Sequence, residues 1–465
     1  MTLEVKKSTQ FEIRELTLVV KGGSIDITKI FEEINLYDSL FLPVISGNIL
    51  IRDAIGLSGK LLFDGSEVLL IDIAKNADSD IASFKKAFRV YKQSGRQNEG
   101  LNSETYVLHF VSDELSYSDQ QKINQSFEGT YSYIIEKILE NYLKIPASQS
   151  KGIYENSVGI KSIVIPNLKP LEAVEWCAKR AVDINQSPNF LFYQNSIGYN
   201  FASLSTLLTQ ENILDIQFSP KNLSGSNPAS EISSARGLEV VEQNDNIKKA
   251  REGVNAGQFI GFDPITRTVA KRNISFGDVY SAVKHANETP DISIIKNRDG
   301  LDSTQAFDSK KILSTFGTAK QLSSYIKNND PTSLSKIENL ESFLFQRKAL
   351  IGNLMNKRVK IAMPGNFQLT SGFNIYLEAP TFGAKEQGED NQDKSLSGKY
   401  LIVASRQIIG YDKHETIIEV ATTSTENEFV AVSSNNLLEE LKEFELWAKK
   451  KILLVKVVLF GLLAL

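Results

Sequence analysis

A turn signature, a strand, a polar loop and a returning strand occupy residues 363–407, and no other stretch limits so closely what this chain can fold into. Pro364 presets φ while Gly365 and Asn366 tolerate positive φ, so the three read as a tight turn. Phe373, Ile375 and Leu377 then alternate as in a strand with one covered face, and Pro380 and Gly383 end it. Residues 385–397 are too polar to pack, and Lys399-Tyr400-Leu401-Ile402-Val403 runs back as a second strand. The unit builds a wall and carries no catalytic group.

With 465 residues there is chain for several cores, roughly three domains at about 150 residues each. Apolar content of 42% and charged content of 23% are those of a globular protein, which argues against a chain disordered or membrane-embedded throughout. The net charge is -4, and the one dense basic run is Lys449-Lys450-Lys451, so a grip on duplex phosphates is not indicated. A single cysteine, Cys177, leaves no intrachain disulfide and no multi-cysteine zinc site, which fits synthesis in a reducing compartment. No apolar secretory signal stands at the amino terminus, so a cytoplasmic start is expected.

Residues 11–115 read as mostly β, with strands at 11–20, 46–52, 67–74, 84–93 and 104–112 and breaks at Gly22-Gly23 and Asp64-Gly65, a small barrel or sandwich. The period then changes. Tyr131, Ile134, Ile135, Ile138, Leu139 and Tyr142 fall at helical spacing, and a second helix is expected from Pro170 to about Val182 on the stripe Leu171, Val174, Ala178 and Ala181. Residues 189–193 and 198–201 read as a hairpin against those helices. Residues 219–236 look like a loop or domain crossing, with strand-like pieces at 237–242 and 258–267 and a turn at Asp263-Pro264. Residues 278–345 read as an irregular insertion, after which a β wall at 358–421 completes the last folded domain.

Asn436 and Glu439 form a capping pair for a helix with Leu437, Leu441, Phe444 and Ala448 on one face. Residues 452–465 are apolar except for Lys456, and fourteen residues are fewer than the roughly 20 needed to span a bilayer. A helix docked on a partner through Leu437, Leu441, Phe444, Trp447, Ile452 and Val455 is therefore expected, with no stable membrane association. A membrane anchor with Lys451 and Lys456 snorkelling is the alternative.

Catalytic chemistry finds little footing. His109, His285 and His414 have no further ligand type at metal-site spacing, and the H-E start at His414 fails because Ile418 stands where a histidine is required. No phosphate-cradling or nucleophile-elbow motif occurs. Asp113-Glu114 and Glu389-Asp390 read as solvated charges and Cys177 as a packed thiol. No catalytic, cofactor-binding or metal-binding residue is assigned, and no cofactor is expected.

Three blocks carry a resemblance. The first is Leu42-Pro43-Val44-Ile45-Ser46-Gly47-Asn48-Ile49-Leu50-Ile51-Arg52-Asp53, followed by Gly65, Glu67 and Val68. The second joins Pro166-Asn167 and Pro170-Leu171-Glu172-Ala173-Val174 to Phe190-Leu191-Phe192-Tyr193 and Gly198-Tyr199-Asn200-Phe201. The third is Pro364-Gly365-Asn366, Leu369 and Gly372, then Gly398-Lys399-Tyr400-Leu401-Ile402. In this order they resemble the central baseplate hub proteins of contractile-tailed bacteriophages, a family related in fold to the spike base of type VI secretion systems. The likeness covers about residues 10–425 and is weakest at 278–345. Many relatives carry a histidine shortly after the Tyr-Leu-Ile strand, where this chain has Arg406-Gln407, and no role is transferred to that position. The apolar tail after Lys451 is also not expected of the family.

The resemblance implies an α+β, mainly β chain. Its parts would be a first tube-type β-barrel (1–115), an α/β domain (116–206), a second tube-type barrel (207–277 with 346–425), an irregular helical insertion (278–345) and a C-terminal apolar helix (434–465). It implies a homotrimer whose six barrels form a ring that adapts a sixfold tail tube protein to a threefold spike protein, with tape-measure protein and DNA in transit only. The place implied is the virion tail baseplate, assembled in host cytoplasm. A lumen that conducts DNA without holding it should be neutral to acidic. A membrane-tethered binding module and a cell-wall hydrolase are the other readings.

Overall fold

The computed structural model describes residues 11–426 apart from 61–62, 75–82, 101–102, 146–150, 186, 219–232, 244, 264–266, 281–282, 288, 291–304, 316–339 and 382–391. The expected C-terminal helix, with Leu437, Leu441, Phe444, Trp447, Ile452 and Val455, lies outside the described residues.

The described residues up to Ser112 form strands β1 (Glu12–Val20), β2 (Gly23–Asp26), β3 (Phe31–Ser39) and β4 (Ser46–Asp53), a single helical turn α1 (Leu57–Lys60), and β5 (Val68–Ala74), β6 (Ser83–Asn98) and β7 (Glu104–Ser112). Every strand pair here is antiparallel, in the order β3-β4-β7-β6-β5-β1-β2. Alternation sends Leu16, Ile34, Leu36, Ile49, Ile51, Leu69, Ile71, Phe88, Leu108 and Phe110 into one shared core. Each such side chain contributes about 1.5–3 kcal/mol when fully buried, so the period-two pattern fixes the register. Two strands beyond the five expected, β2 and β3, complete this half.

The middle of the chain holds α2 (Asp113–Asp119), β8 (Ser126–Gly129), α3 (Tyr131–Tyr142), β9 (Lys151–Tyr154), β10 (Lys161–Val164), α4 (Pro170–Ala178), β11 (Phe190–Gln194), β12 (Tyr199–Ser203) and α5 (Leu204–Thr209). Thr130 caps α3 by accepting from the Tyr133 amide, and Ile134, Ile135, Ile138 and Leu139 face α4 within one core. Pro170 opens α4, where its missing N–H costs nothing. That helix ends at Ala178, short of the expected Val182, although the Ala181 amide still bonds the Cys177 carbonyl, and Val182 then accepts from the Val158 amide. β11 and β12 form the expected hairpin, and β9 adds in parallel to β12.

The remaining elements are β13 (Asn212–Phe218), β14 (Ser234–Ala235), β15 (Gly237–Gln243), α6 (Asn246–Glu252), β16 (Ala256–Asp263), β17 (Thr268–Ser275), α7 (Phe276–Tyr280) and β18 (Thr289–Pro290). After them come β19 (Lys311–Thr315), α8 (Leu340–Leu354), β20 (Lys357–Pro364), β21 (Asn374–Glu378), β22 (Gly398–Gly410), β23 (His414–Ala421) and β24 (Ser424–Thr425). β21 and β22 are the two strands of the opening stretch, paired antiparallel from Asn374–Leu401 to Leu377–Gly398. β16 and β17 pair antiparallel as far as Asp263–Thr268, with Pro264 of the expected turn outside the described residues, and they stand with β19 in a separate three-stranded sheet.

β22 unites the large sheet. Its first half pairs with β21, its length with β23, and residues Ala404–Gly410 with β3 of the amino-terminal half. A register shift between Ile402 and Ala404 re-aims its side chains. Tyr400 and Ile402 therefore enter the core of the carboxy-terminal half, Leu401 and Val403 the core beneath the middle unit, and Ile409 the amino-terminal core.

The two closed barrels implied by the resemblance do not appear as closed ladders among the described residues. In the first half the turn at Ile27–Ile30 intervenes between β2 and β3. The Ile27 amide donates to the Leu16 carbonyl of β1 and the Arg52 amide of β4 to the Ile30 carbonyl, so this turn is tied to a strand on each side without forming a ladder of its own.

Candidate functional site

The Pro364-Gly365-Asn366 turn lies where the two sheet halves and the middle unit meet. The Gly365 amide donates to the His414 carbonyl at 2.8 Å, and a Cβ at Gly365 would fall 2.0 Å from Cγ of the buried His414 ring, so only glycine fits. Phe367 then leaves the turn and enters the amino-terminal core, stacked on Phe84 at 5.7 Å and tilted against His414 at 4.6 Å.

Gln407 holds this turn from β22. Its amide nitrogen donates to the carbonyls of Asn366 (3.2 Å) and Leu369 (3.3 Å), while its oxygen accepts from Thr416 Oγ1 at 2.6 Å and lies 3.0 Å from His414 Nε2. Thr416 Oγ1 in turn accepts from the Asn366 amide at 2.8 Å. Gln407 is thus a fully engaged structural glutamine, and its neighbour Arg406 points to the other face of the sheet.

Asp38, buried on β3, accepts from Thr370 Oγ1 (3.0 Å), the Ser371 amide (2.8 Å) and Ser405 Oγ (2.5 Å). Burial raises its carboxyl above the usual range, and the bonds from Ser405, Ser371 and Thr370 pull the other way. The β11–β12 hairpin reaches the same loop. Asn195 Nδ2 donates to the Ser371 carbonyl at 2.9 Å, Ser196 Oγ to the Phe367 carbonyl at 3.1 Å, and the Ser196 amide to Thr370 Oγ1 at 3.3 Å. A Cβ at Gly372, where φ is +93°, would sit 2.0 Å from the Tyr193 hydroxyl oxygen.

On the opposite face of the sheet, registered residues run in rows across the seam: Glu415 and Ile417 on β23, Arg406 and Ile408 on β22, Asn35 and Tyr37 on β3, Asn48 on β4 and His109 on β7. Arg406 Nε donates to Asn35 Oδ1 at 2.9 Å, with its guanidinium 5.7 Å from the Tyr37 ring centre. Asn35 Nδ2 donates to Asn48 Oδ1 (3.1 Å) and Glu33 Oε1 (2.7 Å). On β20, Arg358 bridges Glu419 at 2.8 Å and Glu242 at 2.5 Å. Among the described residues of this face, bases stand beside acids, as Arg358 does between Glu419 and Glu242, and the rows across the seam are mostly neutral.

The residues considered for chemistry are structurally committed. His109 lies 2.7 Å from Ser94 Oγ, with burial and Lys92 lowering its pKa, and His285 bonds Thr423 Oγ1 and the Tyr280 carbonyl. Asp113 pairs with Arg89 at 2.8 Å and Glu114 with Lys86 at 3.4 Å. Cys177 is buried in the middle core, and Glu389-Asp390 lie outside the described residues. Among the described residues no group of three potential ligands could hold a metal ion, and no helix is long and apolar enough to cross a membrane. Asp38, Thr370 and Ser371 belong to no motif legible in the sequence. An aspartate inside an otherwise alternating strand was the available signal.

No protein-family model matches the sequence. The chain is 21% identical over 408 residues to a probable baseplate hub protein of Vibrio phage KVP40, covering 86% of this chain and 91% of that protein. Its fold is similar to that of a tail protein from Neisseria meningitidis MC58, with a TM-score of 0.50, 10% identity and coverage of 89% of this chain and 96% of that one. A 43 kDa tail protein of prophage MuSo2 from Shewanella oneidensis aligns with a TM-score of 0.48 and 9% identity over 89% of this chain. The chain is a homologue of a bacteriophage baseplate hub protein, and it has the fold of a tail protein.

Proposed function

We propose that this protein is the structural hub of a phage tail baseplate, a homotrimeric ring joining a sixfold tail tube to a threefold spike and giving passage to tape-measure protein and DNA. The relationship to the KVP40 hub protein over nearly the whole of both chains carries the proposal. In this reading each chain supplies two quasi-equivalent sheet halves, so three chains supply six, and a head-to-tail contact closes when its rotation divides a full turn. The seam at β22 and β3 supports it, because it holds the two halves in one continuous sheet. The carboxy-terminal half comes close to a closed circuit: β14 pairs with β13, β15 pairs with β20, and Arg236 between them donates to the Ala362 carbonyl at 2.8 Å. A bent β14–β15 strand would complete that barrel. The rows bearing Arg406, Asn35 and Asn48 would line the passage, with mixed charge suited to a polyanion that must move through.

The solution mass of the full chain at several concentrations tests this. Three copies of the 51.8 kDa chain are expected, and a persistent monomer would count against the ring. Leu437, Leu441, Phe444, Trp447, Ile452 and Val455 are proposed to dock on a neighbouring copy or another tail protein. Truncation after Ser434 should then weaken assembly. Unchanged assembly with loss of membrane association would favour an anchor.

A further inference from the structure

The two halves of the large sheet repeat one strand plan. β5 pairs with β6 as β21 does with β22, β6 with β7 as β22 with β23, β7 with β4 as β23 with β20, and β4 with β3 as β20 with β15, all antiparallel. The repeat holds residue by residue. Arg89, Val111, Ser46 and Tyr37 stand opposite one another in a row across one half, as Leu401, Ala421, Arg358 and Glu242 do across the other. Both long strands are bulged at the same step, after Val90 in β6 and after Ile402 in β22. The amides of those two residues donate to the matching carbonyls of Glu67 (3.0 Å) and Phe373 (2.9 Å). β6 is therefore the counterpart of β22, and β15 of β3.

One partner is unequal. Beyond its bulge, β22 is covered by β3 from Ala404 to Gly410. Among the described residues, the same edge of β6 over residues 92–98 pairs with no strand, and β15 pairs with β20 alone. Bare edges of this kind are templates for a further strand. The side chains carry the same asymmetry. Val403 and Leu36 at the filled seam are 2% and 4% exposed, whereas their counterparts Tyr91 and Val240 are 57% and 40% exposed. Across the filled seam Ser405 Oγ donates to Asp38. The counterpart of Ser405 is Gln93, whose Nε2 is buried with no hydrogen-bond partner, and the counterpart of Asp38 is Gln243, which carries an amide oxygen able to accept.

We propose that residues 92–98 of β6 pair antiparallel with β15 of a second copy of this chain, repeating between copies the seam that β22 and β3 form within one. Gln93 then stands opposite Gln243 and Ser94 opposite Glu242, as Ser405 opposes Asp38 and Arg406 opposes Tyr37. The occupant is another copy because each chain offers one bare edge of each kind, so the contact is head-to-tail and self-complementary only around a ring. With inner and outer seams built alike, three chains place six halves at equal steps. The proposal rests on the trimeric ring reading and names the surfaces that close it.

The test places Gln93→Cys and Gln243→Cys together in the full chain, with each single variant as control, and bridges thiols with a short bismaleimide. Cys177 is buried and leaves the controls unlinked. The double variant should give covalent dimers and trimers on a denaturing gel. A trimeric solution mass with no linked species would overturn the ladder and leave the ring reading standing, while a persistent monomer would remove both. Tyr91→Asp and Val240→Asp should each raise the concentration at which the trimer dissociates about tenfold or more, because a charge would enter the buried ladder. Their circular dichroism should match wild type, since both side chains are exposed in the single chain. Unchanged dissociation in both would also overturn the proposal.

Discussion

The carboxylate of Asp38 accepts the backbone amide of Ser371 at 2.8 Å across 333 positions of sequence, joining the amino-terminal sheet half to the loop that follows the Pro-Gly-Asn turn. Because burial raises the pKa of Asp38 in the fold, its protonated form is favoured there. Its stabilising contribution is present below the unfolded carboxyl value and is lost as pH rises through the folded one. An asparagine can keep Oδ1 toward the Ser371 amide and place Nδ2 where Oδ2 stood, donating to the hydroxyls of Thr370 and Ser405. Asp38→Asn should therefore gain stability relative to wild type as pH rises above the unfolded carboxyl value, read as the difference in unfolding temperature. A difference independent of pH would show that Asp38 ionises normally in the fold.

Gly365→Ala should destabilise the protein by about 1–3 kcal/mol, since the new methyl group displaces the buried His414 ring and through it Gln407 and Phe367. Denaturant unfolding measures the loss. Gly47→Ala should cost at least as much, because its Cβ meets the Asn35 carbonyl at 2.4 Å, and backbone yields less readily than a side chain.

Gln407→Ala removes two donors to loop carbonyls and the acceptor for Thr416. A cost of about 1–3 kcal/mol is expected from the buried groups left unpaired. Hydrogen exchange should rise first at Leu369 and Thr370. Exchange rising uniformly across the chain would argue that the turn has no local stability of its own.

Arg358 is the leading cause that holds the Glu242 carboxyl below its ordinary value, followed by Lys248. That contribution is present above the unfolded carboxyl value and is lost as pH falls through the folded one. Arg358→Ala should cost no more than about 1 kcal/mol at pH 7, since these side chains keep some contact with water, and the gap should narrow toward pH 4. Thermal unfolding of the two proteins across that range checks the trend.

Local patterns made much of the fold legible. Period-two alternation marked β5 and β7, helical spacing marked α3, and the Pro-Gly-Asn turn with its two strands stood out in sequence. β3 escaped because Asp38 takes a core-side position in line with Ile34 and Leu36, and it is buried only through partners on β22 and the 370–371 loop. The separate β16–β17–β19 sheet escaped for a related reason, since β19 joins it from a region with weak local signals. The seam itself was out of reach of sequence reading. Its residues take their roles from neighbours hundreds of positions away, and serine, threonine and aspartate there look like ordinary loop chemistry.

The seven residue pairs between β22 and β3 also have a mechanical meaning. Force pulling the two halves apart along the strand direction meets those backbone hydrogen bonds in shear, where they resist together and do not open one after another. The buried ties of Asp38 and Gln407 lie beside them and share the load. A flexible tether between the halves would stretch under the same force. Here one continuous ladder joins the two halves, and a pull on either loads that ladder directly.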